Sequence, residues 1–438
     1  MRDLAGYRGS ALRFLKAAKA GIGDVLEVST DWGRVTGTLV PRYLYADDSI
    51  VVLKLASGYN VGLRVGRLTG ARVKALGEKP SFKAPVPPKA GGKLPRVLIL
   101  GTGGTIASRV DYRTGAVHPI VTSAELHGVV PELSEIARVE PEIMFSIFSE
   151  NVEPRHWTAL ANRVKKAVSD GLSGVVITHG TDTMGYTSAA LGFALQGVPI
   201  PVVLVGAQRS PDRPSSDATL NLIAAVSVAA TAPFSGVYVA MHLDGGDGSI
   251  AIHRATRVRK NHTSKRGAFE SVGVPLAAVW TRNGLEEVSE GLPGRAGPGP
   301  FRPRTKFSDR VSMVKHYPSM PPSFLRALLK SGPRAIVFEG TGLGHINSRN
   351  MRIVGGFLRR GGVAFMTSQC INGRVDLNVY ETGRDLLRVG VVPLADMLAE
   401  TALVKAMWVV ANSRSPGECR KMMAENLLGE MTDRGLLE

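Results

Sequence analysis

Over most of the chain, short β-branched runs alternate with glycine turns and longer mixed segments. Val175–Ile177, within the stretch Gly174–Met184 (GVVITHGTDTM), reads as a buried strand, and Met184, Ala189, Leu191 and Leu195 continue it as a helix. Val97–Leu100 precedes Gly101-Thr102-Gly103-Gly104-Thr105-Ile106, Pro201–Val205 precedes Gly206-Ala207-Gln208-Arg209, and Gly236–Met241 runs into His242–Gly248. Between them, Trp157, Leu160, Val164, Ala167 and Val168 recur at helical spacing, and Ala218–Ala230 is apolar enough for a buried helix. This rhythm of strand, glycine turn and helix predicts a mostly parallel sheet with helices on both faces.

The two ends read differently. In residues 1–76 a short amphipathic helix over Ala11–Ala20 leads into four strands, around Val25–Val28, Val35–Val40, Ile50–Leu55 and Tyr59–Val65. Turn chemistry at Asp31-Trp32-Gly33 and Ser57-Gly58 separates them, which predicts a small β-barrel of SH3-like or OB-like kind. Residues 77–95, with five prolines, several lysines and Gly91-Gly92 in GEKPSFKAPVPPKAGGKLP, read as a linker. The main α/β unit is expected over 96–290. A second Pro/Gly linker covers 291–307, and a smaller α/β domain covers 308–438, with strands at Val311–Val314, Ala335–Phe338 and Val363–Thr367. Helices are predicted at Pro321–Leu329, Arg349–Arg359 and Leu394–Val410, with a last one from Pro416 capped by Ser415.

Composition narrows the class. With 438 residues, 44% hydrophobic and 21% charged, the chain is long enough for two or three domains with their own cores. No apolar run is long enough for a membrane span, and Arg13, Lys16 and Lys19 break up what would be a signal-peptide core. Two cysteines, Cys370 and Cys419, exclude a disulfide framework and a thiolate zinc site, so a reducing, cytoplasmic setting is expected. The formal charge of +17 favours polyanionic partners such as RNA.

The glycine turns carry the candidate chemistry. Gly101–Ile106 is not a dinucleotide fingerprint, because Ile106 stands where a third glycine or alanine is needed. Nor is it a Walker A loop, since no Gly-Lys-Ser/Thr follows. What remains is a turn with bare backbone N–H groups and the hydroxyl of Thr105. In the second turn, Thr181 beside Asp182 pairs a hydroxyl with a carboxylate, although Asp182 also suits a helix cap. Tyr112, in a polar loop over Asp111–Pro119, is placed to act as a lid.

Taken together, LGTGGTIA (Leu100–Ala107), HGTDTM (His179–Met184), VGAQR (Val205–Arg209) and VRKNHTSKRGAF (Val258–Phe269) resemble the L-asparaginase/glutaminase family of threonine amidohydrolases over residues 96–438. The added β-rich module before the first signature resembles the family of D-type subunits of archaeal glutamyl-tRNA(Gln) amidotransferases. The resemblance implies a two-domain asparaginase-like α/β fold with mostly parallel sheets, preceded by the small barrel. It puts the catalytic threonine on Thr105, the second threonine and its acid on Thr181 and Asp182, and the lysine on Lys260. Tyr112, Ser149 and Glu150 take substrate-binding positions, and Arg374 falls near the place where related homotetramers bring an acidic residue from a neighbouring protomer.

The same resemblance implies partners. Glutamine would be the substrate of this chain, with no metal and no cofactor of its own. A tRNA-binding, ATP-using E-type subunit would hold ATP and magnesium, take the ammonia, and carry most of the contact with Glu-tRNA(Gln). A homodimer within a heterotetramer is the implied assembly. Thr105 would attack the carboxamide, backbone N–H groups of both turns would hold the oxyanion, and Thr181, Asp182 and Lys260 would relay the proton. Each threonine has a base within reach, so the sequence leaves open which is acylated first. Two alternatives also stay open: a free-standing asparaginase/glutaminase, and a non-catalytic tRNA-binding scaffold.

Overall fold

The computed structural model describes residues 4, 6–40, 42, 47–55, 60–77, 94–104, 108–110, 117–119, 130–209, 216–295 and 301–433. Thr105 and Tyr112 lie outside them, as does most of the first linker. The chain divides into two compact units, Met1–Pro85 with Ser108–Ile120, and Val86–Ala107 with Val121–Glu438.

In the first unit, helix α1 (Gly9–Ala17) and strands β1 (Val25–Thr30), β2 (Gly33–Leu39), β3 (Ile50–Lys54), β4 (Asn60–Arg64) and β5 (Leu68–Ala75) pack together, the strands forming one antiparallel sheet ordered β4-β3-β2-β1-β5. Alternate residues of β1 to β3 turn inward, so Leu26, Val28, Leu39, Val51 and Leu53 meet Ala11 and Leu15 of the helix in one core. Tyr7 closes one side of it, its hydroxyl donating to Val40 O at 2.8 Å, and burial pushes its pKa up to about 12. The sheet is compatible with a barrel, but it has five strands where the sequence pattern indicated four. Strand β5 pairs with β1 while leaving most of its side chains partly or fully exposed, so it carries no alternating apolar signal.

The second unit begins with β6 (Arg96–Gly101); the hairpin strands β7 (Ser108–Val110) and β8 (Val117–Pro119) fall in the first unit. There follow a short helix α2 (Leu133–Ile136), β9 (Arg138–Ile143), α3 (Pro154–Ser169), β10 (Gly174–Thr178), α4 (Met184–Ala194), β11 (Pro201–Val205), α5 (Ala218–Thr231) and β12 (Gly236–His242). Strands β13 (Ile250–Arg254), β14 (Val258–Lys260), β15 (Phe269–Ser271), β16 (Ala278–Thr281) and β17 (Gly284–Glu287) complete this part. The eight-stranded sheet is ordered β17-β16-β13-β12-β11-β10-β6-β9. It is parallel from β12 to β9 and antiparallel from β12 to β17. Every residue of β10 and β11 is buried, as a parallel strand covered on both faces requires. The strand order reverses between β6 and β10, so the crevice at their carboxyl ends is a topological switch point.

The remaining elements form a four-stranded parallel sheet, β18 (Val311–Lys315), β19 (Ala335–Gly340), β20 (Val363–Ser368) and β21 (Val392–Pro393), in that order. Helices α6 (Pro322–Lys330), α7 (Met351–Arg359) and α8 (Glu381–Val389) alternate with these strands, and α9 (Ala399–Asn412) and α10 (Pro416–Ala424) follow. The helix predicted from Leu394 starts at Ala399 instead, because the chain turns at Ala395, whose φ is +49°. Ser415 caps α10, accepting from the Glu418 N–H at 3.2 Å. Phe193 of α4 stacks on Trp408 of α9, with ring centroids 6.0 Å apart. The described part of 291–307 is bonded into the body: Arg304 N–H donates to Ala194 O at 3.0 Å, and Thr305 O accepts from Thr158 Oγ1 at 2.9 Å.

The end of the chain is held by a buried polar cluster. Lys405 and Glu430 are fully buried, with Nζ 2.6 Å from Oε1, and the lysine also donates to Met423 O and Glu425 O. Glu430 in turn accepts from the N–H groups of Leu427 and Leu428. Arg257, equally buried, donates to Glu430 O at 3.0 Å and to Asp396 Oδ2 at 2.8 Å, while Asp396 accepts from Thr432 N–H and hydroxyl. Arg374 Nη1 donates to Asp433 O at 2.8 Å, so its guanidinium is committed to this tail.

Candidate active site

Strand register brings three turns to one place. Gly101 pairs with Thr178, and Thr178 with Val205, so the turns after β6, β10 and β11 leave the sheet side by side. Thr102 ties the first two, its N–H and hydroxyl donating to Thr178 O at 3.2 and 2.8 Å. Gly104 adopts φ +78°, and a Cβ there would come within 3.0 Å of the Gly180 nitrogen. Gly104 and Gly180, which directly precede Thr105 and Thr181 in sequence, are therefore in contact. A Cβ on Gly180 would likewise meet the Ser149 side chain at 2.8–2.9 Å. Only bare backbone fits between these turns.

On this frame Lys260, Thr181 and Asp182 come together. Lys260 ends β14, which pairs with β15, and its Nζ donates to Thr181 Oγ1 at 2.8 Å and to Asp182 Oδ1 at 2.7 Å. The lysine side chain is only 13% exposed and the aspartate 71%, so a largely buried amine is met by a solvated carboxylate. Two arginines before Lys260 fix its strand, Arg257 through Asp396 and Arg259 through Glu400, with Nη1 2.5 Å from Oε1. Asp182 makes no capping bond to the helix that follows, contrary to the double role its sequence position allows. Its carboxylate is engaged by Lys260, and residues 181–183 form a separate 3-10 turn before α4 begins.

Ser149 is buried beside Gly180, and its carbonyl accepts from Thr183 Oγ1 at 2.7 Å, while Glu150 is exposed in the same short turn. The third turn is anchored from below. Asp217 accepts from the N–H groups of Gln208 and Arg209, and Asn221 donates to Gly206 O at 3.0 Å.

Sequence reasoning assigned no task to His179, which is buried directly behind the second turn. Its Nδ1 lies 2.7 Å from Gly180 O and must donate, since a carbonyl only accepts; Nε2, 2.9 Å from Thr187 Oγ1, then accepts the hydroxyl proton. Trp157 Nε1 donates to the same Thr187 hydroxyl at 3.0 Å, so the bonds run in one direction and hold the Gly180 peptide. Helical spacing puts Trp157 in the core, but no sequence rule links it to a histidine so far along the chain. Burial lowers the His179 pKa to about 4. Its folded pKa lies below the unfolded value near 6.5, so the unfolded chain binds the extra proton as pH falls through that window. Lowering the pH from 7 to 4.5 should therefore cost about 2.5 kcal/mol from this group. Guanidinium titrations at the two pH values check this, and the loss should shrink in His179→Gln.

Comparison with known proteins follows the same outline. Residues 96–290 match the family described as Asparaginase, N-terminal; residues 310–423 match the Glutaminase/Asparaginase C-terminal domain; residues 20–73 match the GatD N-terminal domain. The D-type subunit of the Metallosphaera sedula glutamyl-tRNA(Gln) amidotransferase is 45% identical over 437 residues, 99% of this chain and 98% of that protein. The protein of the same name from Pyrococcus abyssi is also 45% identical, over 96% of this chain and 97% of that one. Among solved structures, the thermostable L-asparaginase from Thermococcus kodakarensis aligns with a TM-score of 0.69 at 34% identity, covering 77% of this chain and all of its own.

Proposed function

The chain belongs to the family of D-type subunits of glutamyl-tRNA(Gln) amidotransferases, built on asparaginase-type domains, and on that premise we propose how it works as the glutaminase of such an enzyme. Glutamine enters the crevice at the switch point, and Thr105 attacks its carboxamide carbon. The hydroxyl proton passes by way of Thr181 to Lys260 and returns to the leaving nitrogen, so ammonia departs and an ester remains for water to hydrolyse. Asp182 holds the lysine and stabilises its charged form, while backbone N–H groups of the Gly101–Gly104 and Gly180–Asp182 turns face the oxyanion. The observation that carries this reading is the Lys260 Nζ held at once against Thr181 and Asp182, where the neutral amine takes the proton and Asp182 then stabilises the ammonium that forms.

Ser149, buried against Gly180, takes the substrate carboxylate in this reading, and Glu150 and Tyr112 serve the amino group and the lid. Ser149→Ala should raise KM for glutamine by about 10–100-fold with kcat within a few-fold, the value of a hydrogen bond to a charged group. Steady-state ammonia release checks the split.

The ammonia goes to a tRNA-binding partner, the E-type subunit, which supplies ATP and magnesium chemistry and converts Glu-tRNA(Gln) to Gln-tRNA(Gln), with two copies of each chain in a cytoplasmic assembly. Among the described residues, no helix is long and apolar enough to cross a membrane. The test is ammonia release from glutamine by the chain alone, with the partner, and with the partner plus Glu-tRNA(Gln) and ATP. Strong stimulation in the last case is expected; steady hydrolysis indifferent to all additions would favour a free-standing amidohydrolase.

A further inference from the structure

In the four-stranded sheet, polarity separates the two edges. Strands end and helices begin at the carboxyl edge, and the exposed large apolar side chains of this region gather there: Tyr317, Phe324, Ile371, Val379 and Tyr380. The opposite, amino edge carries cations. Arg310 and Arg334 immediately precede β18 and β19, and their neighbours Val311 and Ala335 are register partners, so the two arginines stand one strand spacing apart, about 4.8 Å. Lys330, Arg359, Arg360 and Arg388 stand where α6, α7 and α8 end on the same edge. All six, Arg310, Lys330, Arg334, Arg359, Arg360 and Arg388, are exposed.

Helix dipoles account for part of this, since a cation at each helix C-terminus is favourable. Arg310 also serves a helix end, its guanidinium donating to Gly332 O just beyond α6 at 2.8 Å, but neither effect accounts for Arg334, which ends no helix, or for a second arginine at α7. Arg359 Nη1 and Val389 Cγ1 lie 3.4 and 3.6 Å from where a Cβ on Gly355 would stand, so the ends of α7 and α8 converge. The acidic residues at this edge are Asp309 and Asp385, and the one ion pair found there among the described residues joins Arg388 to Asp385 at 2.5 Å.

We propose that this row of six cations is a docking surface for the phosphate backbone of structured RNA, and that the tRNA acceptor of the amidation occupies it. A row on the order of 20 Å long, from strand and helix spacings, spans several phosphates. The edge is rich in arginine and lacks exposed large apolar groups among the described residues, which suits nucleic acid better than an acidic protein, whose interface core would be apolar and aromatic. The carboxyl edge of the same sheet, at Glu339, Ser368 and Gln369, borders Arg259 next to Lys260, so RNA on the amino edge leaves the crevice open. Naming tRNA as the occupant rests on the proposed function; the phosphate chemistry does not.

The experiment is fluorescence anisotropy of labelled tRNA with the full chain across a salt series. Arg334→Gln/Arg359→Gln/Arg360→Gln should flatten the log–log salt slope by about 2–3 and weaken binding roughly 10²-fold near 0.1 M salt, while the same three positions as lysine restore most of it. Unfolding midpoints of all variants are compared, so that loss through misfolding is recognised. A control variant, Arg8→Gln/Arg13→Gln/Lys16→Gln at α1, removes three cations elsewhere and should change the slope by less than about 1. An equal loss in the control would mean general surface basicity and overturn the proposal. So would unchanged RNA binding in the edge variant, including the case where it fails only to bind the purified partner. Glutamine hydrolysis is assayed separately on the unaltered chain, so its absence would sink the proposed function without deciding the RNA surface.

Discussion

Lys260→Ala should lower ammonia release from glutamine by about 10²–10⁴-fold, the usual contribution of a general acid/base group. Lys260 Nζ contacts Thr181 Oγ1 and Asp182 Oδ1, and deleting it removes the basic group that these two residues hold in the crevice. Asp182 is well exposed, so the loss strands no buried charge, and the unfolding midpoint should stay near that of the parent chain. Thr181→Val should produce a loss of the same order, and the double variant little more than either, because the proposed relay needs both at once. The measurement is kcat/KM for ammonia release in the presence of partner and Glu-tRNA(Gln). Retention of most of the parent rate in either single variant would remove both residues from the proposed mechanism.

The largest effect on stability is expected where α9 meets the chain terminus. Lys405→Met should destabilise the fold by about 3–5 kcal/mol, because it leaves Glu430 buried without its counter-ion. Burial lowers the Lys405 pKa while Glu430 raises it, so the charged form depends on its partner. Combining Lys405→Met with Glu430→Gln should recover part of the loss, since the neutral amide still accepts from the Leu427 and Leu428 N–H groups. Denaturant unfolding of the single and double variants gives the coupling. A single-variant cost below about 1 kcal/mol would show that water or rearrangement satisfies Glu430.

Particular residues show how far the sequence carried. β10 and β11 were legible because strands buried on both faces are apolar without interruption. The glycine turns were legible because close backbone approach leaves few alternatives to glycine, and Lys260 because it falls within the VRKNHTSKRGAF stretch. β9 was missed: RVEPEI lies at the sheet edge with charges and Pro141, which an edge strand tolerates and a pattern search rejects. α8 was missed because only Gly383 and Leu386 of its nine residues are buried, too few to display a stripe. His179 had no legible task because its hydrogen bond to Thr187, and the bond from Trp157 to that hydroxyl, form only once the fold has brought the three together. The competing cap reading of Asp182 was settled by where its carboxylate goes, which no local pattern reports.

The grip of Arg257 on the chain terminus sets an order of events during synthesis. Its partner carbonyl at Glu430 is 173 residues further on, and at 5–20 residues per second a ribosome takes roughly 10–35 s to reach it. Through that interval the glycine turns can already have assembled on their strands, while the strand bearing Lys260 still lacks one of its anchors. A nascent chain would then hold Thr181 in the crevice before Lys260 is fixed against it. Hydrolysis of glutamine would wait for the segment around Glu430 to emerge, and a chain truncated before Glu430 should release no ammonia even with Thr181, Asp182 and Lys260 all present.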